Sequence, residues 1–251
     1  MTLLRQLTLL TLMALVLSGC ASLGSGPSAE DRETAQRYVE IGYRHLEFDN
    51  AQRARESFRQ ALSLDGRSSG GHLGMALVYQ RDGESELAED YFHQAISLAD
   101  DMEPRHLYAQ FLFSEGRIDE SEEELRQVTS DPDFRNRGVA FEDLAILSLY
   151  QNDMESAKTY FDRAIRLNRM LPMPYWHMTN IHLSQGNPDQ AAEYFEGFHN
   201  LVDAEVMDHT EESLILGLRV TQAVEREERY SGLLEILEEQ FPDSDYMRGV
   251  R

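Results

Sequence analysis

Large apolar residues and small residues recur along most of this chain at the spacing of helix faces. The first complete set consists of Tyr38, Ile41, Gly42, His45, Ala54, Phe58 and Ala61. Steps of three and four residues place the members of each half on one side of a helix, and the gap between the halves fits a turn. The pattern therefore predicts two packed helices whose small residues allow close approach.

The set returns at intervals of about 34 residues, which is the period of the tetratricopeptide (TPR) repeat. Later copies begin at His72, Arg105, Phe141, Tyr175 and Leu214. No stretch shows the alternation typical of a strand. We predict an all-α, right-handed superhelical solenoid of about six TPR helix-turn-helix repeats over residues 34–251. The repeats are expected near residues 35–68, 69–101, 102–134, 138–171, 172–205 and 211–244.

Turn residues and lengthened connections support this division. Turn residues stand between the predicted helices at 48–50, 82–83, 115–116, 152–153 and 186–188, where Gly and Asn supply the left-handed conformations that end a helix. Extra residues lengthen the connections at 131–138 and 201–210. Long connections in solenoids often lie beside binding faces, and many others are plain connectors.

The N-terminus has the sequence features of a targeting segment. An apolar run over residues 7–17 follows Arg5 and is too short to cross a bilayer of about 30 Å. It ends in the sequence LSGC, a bacterial lipobox whose Cys20 is the expected lipid acceptor. We predict a lipoprotein signal peptide at 1–19 and a lipidated flexible tether at 20–33. Ala21 and Ser22 follow the cysteine where an inner-membrane retention signal has Asp, so we expect outer-membrane anchoring with the body on the periplasmic face.

Composition excludes several classes of partner. The chain has 23 Lys and Arg against 45 Asp and Glu, a net charge of −22. Such a surface repels nucleic acid and anionic lipid headgroups, so neither is an expected partner. Adaptation to salt and genomic base composition explain the acidity equally well. The single cysteine allows no intramolecular disulfide.

No motif for catalysis or cofactor binding emerges. The eight histidines form no HExxH or other metal spacing, and the acidic run at 120–124 has the character of a solvated helix face. No glycine-rich loop follows a strand, so no nucleotide site is implied. We expect no metal, no cofactor, no small-molecule substrate and no enzymatic activity. The chain is predicted to be a binding scaffold.

A protein partner is expected on the first helices of the repeats, which line the concave side of such a solenoid. Apolar residues there indicate a binding groove for an amphipathic or extended peptide. The predicted partner-binding residues are Val39, Tyr43, Leu46, Leu73, Leu77 and Gln80. A secondary groove is predicted at Met173, Trp176 and Leu183. In the alternative interpretation, these residues pack against neighbouring repeats or the N-terminal tether.

Two stretches carry a more particular resemblance. One is FEDLA at 141–145, continuing to RAIRLNR at 163–169, and the other is SLILGLR at 213–219, followed by FPDS at 241–244. With the lipobox and six repeats, the chain resembles type IV pilus biogenesis and stability lipoproteins of the PilF/PilW type, also called pilotins. The departure from the repeat consensus at Arg169 and Met170 is shared with that family.

The resemblance implies a specific role. Pilotins help outer-membrane secretin subunits reach the outer membrane and form the ring through which a type IV pilus passes. A secretin subunit of the pilus machinery is therefore the expected partner. Two alternatives remain open: a periplasmic adaptor that recruits cell-wall enzymes, and an accessory subunit of the machinery that assembles outer-membrane barrels.

Overall fold

The computed structural model describes residues 26–250 and is helical throughout, arranged as two compact units. The first unit ends at Asp100 and the second begins at Asp101, one residue before the predicted boundary between the second and third repeats. The predicted signal peptide, Cys20 and the residues up to 25 lie outside the described part. Within that part, no helix combines the length and the apolar character needed to cross a membrane.

The first unit contains two packed helical pairs. The first helices of the two pairs also contact each other. The helices are α1 (Ala29–Glu47), α2 (Ala51–Leu64), α3 (Ser69–Asp82) and α4 (Ser85–Leu98).

The second unit contains four pairs and a short C-terminal helix. The first helices of its first two pairs contact each other, as do those of its last two pairs. The helices are α5 (Glu103–Ser114), α6 (Ile118–Ser130), α7 (Arg137–Tyr150), α8 (Met154–Leu167), α9 (Pro172–Ser184), α10 (Pro188–Asp203), α11 (Glu211–Ala223), α12 (Glu227–Gln240) and α13 (Asp245–Val250).

The predicted all-helical TPR arrangement is confirmed, and so are the predicted turns. Each of the six pairs turns through one residue in the left-handed region, which satisfies the last carbonyls of the first helix. These residues are Asp49, Gly83, Gly116, Asn152, Gly186 and Glu225. Glu225 was not predicted, because glutamate carries no turn preference that marks such a position.

The first helix begins earlier than the sequence pattern suggested. The hydroxyl of Ser28 accepts a hydrogen bond from the backbone N–H of Asp31 at 3.0 Å, and the Asp31 carboxylate accepts one from the Ser28 backbone N–H at 2.9 Å. This capping box fixes the start of α1 at Ala29. The tether predicted for 20–33 is therefore too long by five residues, since 29–33 are helical.

The repeated aromatic position forms the centre of each pair. Phe58, Phe92, Phe161 and Phe195 are all fully or almost fully buried. In the degenerate third copy Leu125 occupies this position, and the buried hydroxyl of Ser121 donates to the Ala109 carbonyl at 2.7 Å. Because that hydroxyl has its partner, a polar residue costs little at a position where alanine is usual.

Close approach in the first unit depends on glycine. The Phe58 ring lies against Gly42 of its own pair and Gly74 of the next pair, and a Cβ added at either glycine would overlap the ring. In the second unit Phe195 lies in the same way against Gly217 of the following pair. Each ring therefore packs within its own pair and against its neighbour.

Candidate functional site

Two residues of the predicted N-terminal groove belong to the interior of the first unit. Val39 is 3% exposed and Leu73 is 5% exposed. Gly70 lets α3 lie close to α1, because a Cβ there would stand only 3.0 Å from a methyl group of Val39. The expectation that all six positions line an open groove is corrected accordingly. For Val39 the alternative, packing against a neighbouring repeat, describes the structure, and Leu73 is likewise buried.

The other four groove residues are half-buried and remain accessible along α1 and α3. The Tyr43 ring meets Phe58 edge-on at 5.3 Å, which holds it against the core. Leu46 and Leu77 add apolar surface, and Gln80 adds an amide. At one end Arg81 forms an ion pair with Asp49 and donates to the Leu46 carbonyl at 3.4 Å. We call the accessible surface formed by Tyr43, Leu46, Leu77 and Gln80 the first-unit face.

The secondary groove residues lie at α9 in the second unit. Met173 is exposed, while Trp176 and Leu183 are half-buried and pack against the C-terminal core. The Trp176 ring meets His177 edge-on at 4.9 Å, and its carbonyl accepts a hydrogen bond from the Asn180 amide at 2.9 Å. The Trp176 ring thus packs against His177 of its own helix and against the C-terminal core, and its binding role stays a prediction.

A polar cluster that the sequence did not reveal connects α5 to α7. One oxygen of Asp143, Oδ2, lies 2.7 Å from His106 Nε2 and accepts a hydrogen bond from the Gln110 amide at 2.8 Å. His106 is buried, and the ring of Phe134 meets it edge-on at 5.6 Å. Phe134 belongs to the lengthened connection before α7. His106 and Gln110 occupy the positions in the third repeat that Val39 and Tyr43 occupy in the first, so the repeat register could have identified them as groove residues.

Beside this cluster, Glu142 has an altered proton affinity. Burial, and then the charge of Asp143, raise the pKa of the Glu142 carboxyl from 4.5 to about 7. The folded protein consequently holds this proton up to near-neutral pH, whereas the unfolded chain releases it near its ordinary value.

Stability is expected to fall as pH rises from about 4.5 to about 7, because there the folded state binds the Glu142 proton and the unfolded state does not. Above that window the loss is complete and constant. Glu142→Gln should therefore raise the melting temperature at pH 8 and leave it nearly unchanged at pH 4.5. Glu123→Gln, on the exposed face of α6, is the matched control. Identical pH profiles for wild type and Glu142→Gln would refute the assignment.

A second polar network holds the lengthened connection before α11. His209 Nε2 lies 3.2 Å from His199 Nδ1 on α10, and His209 Nδ1 lies 2.9 Å from the hydroxyl of Ser213. Burial lowers the pKa of His209, and the nearby His199 lowers it further. The ring joins the connection to the helices on both sides. In residues 26–250 no group of three or more His, Cys, Asp or Glu is placed to hold a metal ion.

Comparison of the sequence with known proteins finds TPR family models and a type IV pilus protein. Tetratricopeptide-repeat family models match residues 72–105 and 140–169. The chain is 29% identical over 223 residues to the type IV pilus assembly protein PilF of Pseudomonas aeruginosa, covering 86% of each chain.

Solved structures share the fold. That of Pseudomonas aeruginosa PilF superposes with a TM-score of 0.75 at 24% identity, over 88% of this chain and 100% of that one. That of PilW, described as a widely conserved type IV pilus biogenesis factor, gives a TM-score of 0.69 at 21% identity, over 86% and 97%.

Proposed function

We propose that this chain, a TPR protein of the PilF/PilW type IV pilus family, is a pilotin. In this role it is an outer-membrane lipoprotein that binds a secretin subunit and promotes the subunit's outer-membrane localisation and multimerisation. The similarity to PilF carries the proposal, because it extends through both units and so exceeds a shared repeat pattern. The chain acts by binding, as a scaffold and without catalysis.

In this proposal the first-unit face binds the secretin subunit. Tyr43, Leu46 and Leu77 present apolar surface on adjacent first helices, and Gln80 offers a donor and an acceptor for a peptide backbone. An extended or amphipathic secretin segment with apolar side chains on one side fits such a surface. Covering that segment would keep the subunit from aggregating before it multimerises.

In this proposal the lipid anchor determines the membrane to which the chain attaches. Acylation at Cys20 with more than one chain would give stable anchoring, which a single chain does not. The capping box starts α1 at Ala29, so residues 20–28 can span at most about 30 Å between the lipid and the helix. The first-unit face begins on this same helix. In the proposed role, the bound secretin segment is therefore held close to the membrane it must enter.

The test is secretin assembly in a deletion strain, measured by membrane fractionation and gels of unboiled samples. We expect secretin multimers to disappear and to return with the wild-type gene. Leu77→Asp should fail to restore them although the protein stays folded. The matched control is Leu87→Asp, the same change at an exposed leucine on α4 of the same unit, and it should restore them.

A Cys20→Ser variant tests the lipid anchor separately from secretin binding. It should leave the membrane fraction and deposit the secretin away from the outer membrane. Normal multimers in the outer membrane of the deletion strain would reject the pilotin role. A pull-down would then distinguish a cell-wall enzyme from a barrel-assembly protein as the partner.

A further inference from the structure

We propose that the second unit carries its own peptide-binding site, between α5 and α7, for an extended segment with a basic and an apolar residue two positions apart. A cavity of about 170 Å³ lies there. It is lined by the apolar side chains of Phe113, Leu125, Ile146 and Leu147, together with the polar Gln110, Ser121 and Asp143, and α6 contributes Ser121 and Leu125. The site goes beyond the proposed function, because it requires no secretin and does not include the first-unit face.

The apolar part of the cavity is formed before any ligand arrives. Leu125 and Leu147 are 2% and 1% exposed, so they belong to the fixed core. The Phe113 ring meets Tyr150 edge-on at 5.8 Å. A preformed apolar pocket with a few fixed polar groups is the usual form of a binding site, since little entropy is lost in ordering it.

The polar part presents an oriented carboxylate. His106 and Gln110 hold Asp143 from α5, and both contacts end on Oδ2. The other oxygen, Oδ1, takes part in neither. Phe134 supports the His106 ring, so the lengthened connection before α7 helps to fix the carboxylate. A carboxylate held in this way beside an apolar cavity is suited to a guanidinium or ammonium group.

Charge complementarity identifies the occupant. Asp143 stands beside a second carboxylate, Glu142, whose pKa the charge of Asp143 helps to raise. A cation bound at Asp143 would relieve this repulsion. The chain's net charge of −22 adds a long-range attraction for basic segments and repels acidic ones.

The distance between the Asp143 carboxylate and the apolar part of the cavity determines how far apart the basic and apolar residues of the peptide must be. Asp143 and Ile146, a half-buried apolar residue of the cavity lining, are three residues apart on α7, a rise of about 4.5 Å. Leu147, at 1% exposed, closes the cavity from the core side. In an extended peptide, side chains on the same side are two residues and about 6.8 Å apart. One such peptide can place Arg or Lys at Asp143 and Leu, Ile or Phe in the cavity. A peptide with the two residues adjacent would point them to opposite sides.

The test is fluorescence anisotropy with dye-labelled heptapeptides and the purified full-length chain in detergent. The first peptide has arginine and leucine two positions apart among glycine and serine residues. The second has glutamate for the arginine, and the third has arginine and leucine adjacent. We expect saturable binding of the first peptide, at least about tenfold weaker binding of the other two, and weakening by salt.

Variants separate binding from folding. Asp143→Asn should weaken the first peptide about tenfold, whereas Glu123→Gln, an equal charge change on exposed α6, should not. Asp143→Lys should reverse the preference toward the glutamate peptide, a result that damage to the fold would not produce. Equal affinity for the arginine and glutamate peptides, or a preference that Asp143→Lys leaves unchanged, overturns the proposal. Because no secretin is present, failure here leaves the pilotin proposal standing, and the reverse also holds.

Discussion

Gly74→Ala is expected to lower the free energy of unfolding by about 1–3 kcal/mol, and Gly74→Val by more. In an ordinary helix the alanine would instead stabilise, by roughly 0.5–1 kcal/mol. Here the new Cβ would overlap the ring of Phe58, which is fully buried and cannot move aside. Steric overlap in the core therefore outweighs the gain in helix propensity. Urea denaturation followed by circular dichroism measures the change.

Gly232→Ala is the matched control, because a Cβ at this helical glycine meets nothing within 4 Å. It should be neutral or stabilising by up to about 1 kcal/mol. A double-mutant cycle gives a stricter test. Phe58→Leu replaces the ring with a smaller side chain, so Gly74→Ala should cost less in that background than in the wild type. Additive effects would show that the overlap with Phe58 is not the cause.

Leu73→Asp is expected to cost more than about 4 kcal/mol of stability, enough to unfold a marginal domain. The substitution removes a leucine that is 5% exposed and places a charge in the same apolar interior. The damage should be smaller at pH 4.5 than at pH 8, since a buried carboxyl is neutral at the lower pH. Thermal melts at the two pH values provide the measurement.

Two comparisons make this result specific. Leu73→Asn is polar and uncharged, so its cost should not change with pH. Leu77→Asp changes a half-buried residue one turn away and should cost about 1 kcal/mol. If Leu73→Asp and Leu77→Asp have the same melting temperature, the buried position of Leu73 in the structure is wrong. The distinction matters for function, because only Leu77→Asp can report on partner binding in a folded protein.

The repeat register could be predicted from sequence because a period of about 34 residues fixes which positions are small and which are large. Phe58 was predicted as a member of the set, and it is fully buried, as are Phe92 and Phe161 at the same position of later copies. The start of α1 was missed, because the cap at Ser28 precedes the first periodic position. The burial of Val39 was also missed, since it depends on Gly70 in another helix.

The polar cluster at Asp143 could not be predicted from sequence for a different reason. His106, Gln110 and Asp143 form it across two repeats, and no local spacing links residues that far apart. Their positions within each repeat were available from the register, but the contacts between repeats depend on how adjacent first helices pack. Metal and nucleotide motifs are local in sequence, whereas a solenoid assembles its binding surfaces from several repeats.

The shared phenyl rings also determine how such a chain can change in length during evolution. Phe58 needs the glycine of the following pair as much as that of its own, and Phe195 likewise lies against Gly217. Gain or loss of one whole repeat keeps a pair beside each ring, but that pair must also bring a glycine to the contact, whereas a cut between the helices of a pair leaves one ring uncovered. After the last pair, α13 packs on its core, with Met247 buried there. This helix would have to move with the end of the chain whenever repeats are added.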